Sequence, residues 1–209
     1  RPLMTRQYIL RSEDRGKTWS VAPHKRHGGW CVPQFNRMDE GRPIDLGNGE
    51  VLLMTRTCAG HLWALWSEDD GRTWTDPQPT SLVHPDAPPM LFHLSDGKTL
   101  IAFHHNRHSD REYTGLSGAK SEGMKDRSEI WFATSVDGGR TWSDPRFLLA
   151  NALAEAFASP FRNYQCSYMD CILDNGTVHL FVPHRWQRVL HLTINESDLA
   201  DTLANKDLV

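Results

Sequence analysis

The chain has 209 residues, with 23 Lys and Arg against 26 Asp and Glu and a net charge of −3. That length allows one large domain or two small ones and a sizeable core. The near balance of charge gives no electrostatic footing for nucleic acid or an anionic membrane as partner. No apolar run approaches the roughly 20 residues of a membrane-spanning helix.

The opening RPLMTRQYIL is neither an initiator Met nor a signal peptide, which leaves export undecided. Within it, LMTR at 3–6 recurs as LMTR at 53–56, so Arg1 falls at the start of a second strand whose first strand is missing. QYILR then runs into SEDRGKTWS at 12–20. The same octet pattern returns as SEDDGRTWT at 67–75 after HLWALW, and as SVDGGRTWS at 135–143 after IWFATS. Apolar strand, polar turn and second strand make a β-hairpin, with Gly16, Gly71 and Gly139 supplying the positive φ of a tight turn. The Asp and Ser side chains suit bonding to nearby turn amides, and the Trp suits packing over the hairpin.

Between octets a second signal repeats. Asn48-Gly49, Asp96-Gly97 and Asn175-Gly176 each join two apolar runs and read as turns. The unit is therefore RPIDL, Asx-Gly turn, VLLMTRT, loop, HLWALW, octet and TWTDP as a fourth strand. It is a four-stranded antiparallel meander, and helix is expected only at NALAEAF, 151–157. A repeated unit of this size predicts an all-β fold, a β-propeller built from four-stranded blades. The alternative two-sheet sandwich leaves the repetition unexplained. The expected blade remnants are 1–30, 40–80, 88–150 and 164–199, about three and a quarter blades. A closed ring has about four to eight, so the chain reads as the C-terminal part of a longer protein. Cys31, Cys58, Cys166 and Cys171 lack CxxC spacing and read as buried free thiols rather than a zinc or disulfide framework.

In such a meander the octets and Asx-Gly turns share one end, and the remaining loops share the other. Glu40 before a first strand, Arg56 ending a second strand and Arg127 opening a third fall at that other end. So do His105 and Asn106, Tyr164 and Tyr168, and Arg185. One loop there is long: Gly97 to Ser135 spans 38 residues where Gly49 to Ser67 spans 18. The surplus, around SDREYTGLSGAKSEGMKD, is polar, and long loops often carry function. Two arginines on one face suit bidentate capture of a carboxylate, and a carboxylate beside a Tyr suits activation of a phenolate nucleophile. The HHNRH run does not read as a metal site, because adjacent strand residues point to opposite faces.

The octets, with EGRPIDLGNGEVLLMTR at 40–56 and RSEIWFATSVDGG at 127–139, resemble the sialidase (neuraminidase) superfamily of six-bladed propellers with Asp-box or BNR repeats. The resemblance covers nearly the whole chain. It implies that Glu40 partners a nucleophilic Tyr and that Arg56 and Arg127 belong to a carboxylate-binding arginine triad. IAFHHN at 101–106 resembles the strand that ends in a substrate-facing Asn, here Asn106, with His105 and Arg185 as further substrate contacts. NYQCSYMDCILDNGTVHLFVPHRW resembles the blade supplying the Tyr. Counting back from Gly176 puts that position on Ser167, one residue before Tyr168, a shift that turns a strand residue to the other face unless a bulge absorbs it. Tyr168 is the first candidate and Tyr164 the second.

The resemblance implies an exo-α-sialidase-like glycoside hydrolase acting on terminal sialic acid or a related acidic sugar, with no metal or organic cofactor. The third arginine and the acid/base Asp are expected upstream of residue 1, which makes the isolated chain inactive. It also implies a secreted or periplasmic protein whose partner is an acidic glycan. Two rivals stay open: a non-catalytic glycan- or protein-binding propeller, and a hydrolase of neutral glycans using a carboxylate pair, Glu40 and Asp170. Juxtaposed Arg56 and Arg127 guanidinium groups distinguish the acidic-sugar reading from both.

Overall fold

A computed structural model describes residues 5–24, 28–32, 37–106, 127–150, 166–184 and 188–204. Tyr164, Arg185 and the NALAEAF segment lie outside these residues. Thirteen strands are formed among those described, ending in a 3-10 helix, Glu196–Asp201. β1 (Ile9–Arg11) and β2 (Ser20–Ala22) pair as a hairpin. β3 (Asp39–Gly47), β4 (Glu50–Arg56), β5 (His61–Ser67) and β6 (Gln78–Val83) form a four-stranded antiparallel meander. β7 (Met90–His93), β8 (Leu100–His104), β9 (Glu129–Ser135) and β10 (Arg146–Ala150) form a second. β11 (Asp170–Asp174), β12 (Thr177–His184) and β13 (Arg188–Asn195) form a three-stranded sheet.

The sheets stack face to face, which explains why their second strands are apolar without alternation. On β4, Leu52 and Met54 face the sheet that follows, joining Leu91, Leu100, Ala102 and Ala133 in one core cluster. Leu53, between them, faces the preceding hairpin with Trp30, Val32, Met38 and Leu65. On β8 the same parity sends Ile101 and Phe103 forward, to Val178, Leu180 and Val182 of β12. His93 Nε2 and the Asp45 carbonyl, 2.6 Å apart, join the first strands of the two complete meanders. This is the arrangement of propeller blades.

Each octet folds into the same staple. In the second, Ser67 Oγ donates to Asp69 Oδ1 (2.9 Å) and accepts from Gly71 N (2.8 Å). Thr73 donates through N (2.8 Å) and Oγ1 (2.6 Å) to the two Asp69 oxygens. The indole of Trp74 donates to the Gly71 carbonyl at 3.0 Å, as Trp19 does to Gly16 and Trp142 to Gly139.

Two expectations need correction. The fourth strands begin at Gln78 and Arg146, after the Asp-Pro pairs rather than at TWTDP, because the Trp turns back over the staple. Asn48-Gly49 and Asn175-Gly176 are two-residue turns with both φ values positive, whereas of Asp96 and Gly97 only the glycine has positive φ. There the turn is wider: Leu94 N bonds the Thr99 carbonyl, and the Asp96 carboxylate accepts from Lys98 N and from Thr99.

Candidate active site

The far ends of β4 and β8 and the entries to β9 and β11 lie opposite the staples. Asp70 N bonds the Gly49 carbonyl at 2.8 Å, which puts octet and Asx-Gly turn at one end of β4. Arg56 closes the other end, six residues beyond Glu50, about 20 Å away at strand rise. Asp14, Asp69 and Asp137 are thus remote from Arg56 or its counterparts, and their oxygens are consumed by the turns.

Arg56 pairs with Asp39 across β3 and β4, at a register shift between Asp39 and Arg42. Within that bulge Glu40 has φ 47°, a left-handed conformation that re-aims its side chain. The next residue is glycine for a steric reason: a Cβ on Gly41 would lie 2.8 Å from both Gln7 Oε1 and Leu53 Cδ1. Gly41 N donates to Gln7 Oε1 at 2.8 Å. Gln7, ahead of β1 and bridged to Trp30, thereby fixes the bulge that presents Glu40.

Arg56 Nη1 donates to Glu40 Oε2 at 2.6 Å and to the Tyr168 hydroxyl at 3.2 Å. That hydroxyl lies 3.3 Å from each Glu40 oxygen, the phenol donating. Tyr168 sits just ahead of β11 at φ 63°. Ser167, where the resemblance puts the Tyr, is fully buried, and Tyr168 after it is 45% exposed, in step with the exposed Asp170, Ile172 and Asp174 of β11. Arg127 stands beside the ring, its Cζ 5.9 Å from the centroid. The Arg127 carbonyl accepts from Cys166 N at 2.9 Å, which ties the approach to Tyr168 to the entry of β9.

The arginines differ in what neutralises them. Arg56 is buried, which disfavours its charge, but Asp86 and Glu40 more than compensate and its pKa is raised. Arg127 pairs with no carboxylate among the described residues. Burial and the neighbouring Arg56 lower its pKa, and Nη2 donates to a main-chain carbonyl, that of Asp86, at 2.6 Å. Asp39 is raised by burial against the opposing pull of Arg37 and Arg56.

Three residues here escaped the sequence reading. Asp86 accepts from Arg56 Nε at 2.7 Å, Arg37 is buried with its Nε 3.3 Å from the same oxygen, and Gln7 holds the bulge. Nothing in the local sequence marks Arg37 or Asp86, since both precede strands as surface charges commonly do. Asn106 follows β8 with φ 44°, half-buried at the Arg127 end of its sheet. His105, expected to contact substrate, is instead fully buried: Nδ1 lies 2.7 Å from the Glu129 carbonyl and the ring stacks on His84. Asp170, the carboxylate of the neutral-glycan reading, is solvent-exposed and lies 3.7 Å from Arg42 Nη1.

The blades thus gather buried Arg56, half-buried Arg127 and the Tyr168–Glu40 couple at one end. The chain belongs to the BNR repeat-like domain family, which matches residues 3–180. No curated protein sequence matches it. Among solved structures it is similar to NanB bound to Optactamide, at 17% identity and a TM-score of 0.64 over 94% of this chain and 28% of that one. NanB sialidase from Streptococcus pneumoniae in complex with 2-[(3-chlorobenzyl)ammonio]ethanesulfonate matches at 18% and 0.61, over 90% and 27%. The intramolecular trans-sialidase from Ruminococcus gnavus in complex with oseltamivir carboxylate matches at 17% and 0.59, over 92% and 38%. These likenesses establish the β-propeller fold, and the chain spans about a quarter to two fifths of those proteins. No helix among the described residues is long and apolar enough to cross a membrane.

Proposed function

We propose that the chain contributes half of the active site of an exo-α-sialidase-like glycoside hydrolase that removes a terminal sialic acid or related acidic sugar with retention. The observation that carries this reading is Arg127. It is a half-buried guanidinium with no ion-pair partner among the described residues, set beside Arg56 and against the Tyr168–Glu40 couple. A ligand carboxylate supplies the missing counter-charge, and arginine geometry favours it bidentately.

The chemistry follows from the hydrogen bonds. Tyr168 Oη attacks the anomeric carbon, its proton passes to Glu40 at 3.3 Å, and the aglycone departs as the alcohol, its oxygen protonated by an acid from the other half of the site. Arg56, donating to the same oxygen at 3.2 Å, stabilises the developing phenolate. Water then attacks the anomeric carbon on the face the aglycone left, giving its proton to the acid that lost one, while Tyr168 leaves as the phenol with the proton held by Glu40; the two displacements restore the original configuration. A neutral phenol approaches an anionic sugar without the repulsion a carboxylate meets, and sialidases are the Tyr-nucleophile exception among glycosidases. Asn106 is placed to contact the sugar rim. The fold shared with sialidases supports the reading.

The test is covalent trapping with 2,3-difluorosialic acid, whose fluoride leaves without a protonating group and so probes this chain's own residues. Intact-mass spectrometry and peptide mapping are expected to show one sugar on Tyr168 and none in Tyr168→Phe. An adduct on another residue, or none at saturating reagent, refutes Tyr168 as nucleophile.

A further inference from the structure

Asp86 belongs to no strand; it lies in the connection between β6 and β7. Its side chain and its main chain nevertheless reach two different arginines. Oδ1 accepts from Arg56 Nε at 2.7 Å and faces Arg37 Nε at 3.3 Å, while the carbonyl accepts from Arg127 Nη2 at 2.6 Å. The segment carrying it is pinned on both sides. His84 N donates to the Gly60 carbonyl at 2.9 Å. His84 Nδ1 accepts from His105 N at 3.2 Å, so the ring proton resides on Nε2, which donates to the Ala87 carbonyl at 3.1 Å. The ring is fully buried and stacks on His105 with centroids 5.1 Å apart. A buried neutral histidine thus bonds the residue following Asp86 to the end of β8.

We propose that Asp86 is the positioning residue of this site: through its carboxylate it orients Arg56, and through its carbonyl it sets Arg127 beside it. The two guanidinium groups then face one ligand carboxylate. The proposal rests on the acidic-sugar reading of the site. Two cations at close range repel, and an anion held between them and Arg37 offsets that repulsion while fixing which N–H groups stay available. Arg56 Nε is consumed by Asp86 and Nη1 by Glu40 and Tyr168, so orientation about the guanidinium plane is set by three partners. Every side-chain variant at Asp86 keeps the carbonyl to Arg127. The lost contacts are therefore those to Arg56 and Arg37.

The experiment compares wild type with Asp86→Asn and Asp86→Ala in two readouts. Asn retains an acceptor and loses the charge. Ala removes both and leaves Arg37 and Arg56 short of a counter-charge, a change that risks unfolding. The first readout is solvent exchange of the Arg56 Nε–H by nitrogen-15 NMR, assigned by its disappearance in Arg56→Lys. Exchange is expected to be about tenfold faster in Asp86→Asn, the loss of charge assistance in one hydrogen bond, and faster still in Asp86→Ala. The second is calorimetric titration with N-acetylneuraminate, where Asp86→Asn is expected to bind about tenfold more weakly. Unchanged Arg56 exchange overturns the proposal. So does faster exchange with unchanged affinity, or a lowered unfolding temperature with both readouts unchanged, which marks a merely structural role. If wild type binds no N-acetylneuraminate, the acidic-sugar reading falls, and the exchange rates still decide whether Asp86 orients Arg56.

Discussion

Ser167 and Tyr168 occupy adjacent positions with opposite fates, the serine fully buried and the tyrosine 45% exposed. The resemblance, counted back from Gly176, puts the Tyr one place earlier, whereas the alternation of β11, with Asp170, Ile172 and Asp174 exposed, agrees with Tyr168. No sequence signal marks the φ of 63° there, because positive φ is ordinarily read from Gly, Asn or Asp. Glu40 makes a similar departure at φ 47°. There the sequence is more informative, since the following glycine is obligatory for packing. Gly41→Ala brings a Cβ to 2.8 Å from Gln7 Oε1 and from Leu53 Cδ1, the latter on a wholly buried side chain. The expected loss is about 1–3 kcal/mol of stability, the usual range for overpacking, seen as a lower urea midpoint with unchanged m. An unchanged midpoint would mean that the bulge relaxes and Gln7 does not hold Glu40. The placement of Glu40 and Arg56 at one end of their sheet was legible from their positions before a first strand and at the end of a second. Gln7, Arg37 and Asp86 were not, because their importance exists only once separate sheets are stacked.

The octets are turn elements, and they also connect one sheet to the next. The residue just before the first octet, Arg11, donates through Nε to the carbonyl of Asp70 in the second. The residue before the second, Trp66, donates through Nε1 to the carbonyl of Gly138, the equivalent position in the third, at 2.9 Å. Exposed ion pairs follow the same period, Glu13 to Arg72 at 2.9 Å and Glu68 to Arg140 at 3.8 Å, and contribute little at the surface. The octet carboxylates themselves are strongly acidic. Bonds from Thr18 hold Asp14 at about 2, and bonds from Thr73 hold Asp69 at about 2. Native pKa values below the ordinary 3.8 mean that the unfolded chain binds protons first as pH falls. Their stabilisation is complete above about pH 4 and is lost between there and about pH 2. Thermal midpoints measured across that window are expected to fall less steeply in Asp14→Asn and Asp69→Asn than in wild type. Equal slopes would show that these carboxylates do not stabilise the turns.

At the scale of the molecule, stacking the sheets assembles the site. Arg56 closes β4, Arg127 precedes β9, Tyr168 precedes β11, and Asp86 bridges the first two from the connection between sheets. The blade fold was legible because a repeated octet imposes a register, and the register shows which strand ends meet. His105 was misassigned because the same register gives only the end of the sheet; facing depends on packing, and the ring packs under the Asp86 connection against His84. In the function proposed above, this assembly recognises a carboxylated sugar through its arginines. Calorimetric titration with N-acetylneuraminate and with its methyl ester, on wild type and Arg127→Ala, tests it most directly. Wild type is expected to bind the acid and not the ester, and Arg127→Ala neither. Equal binding of acid and ester, or acid binding undiminished in Arg127→Ala, would contradict it.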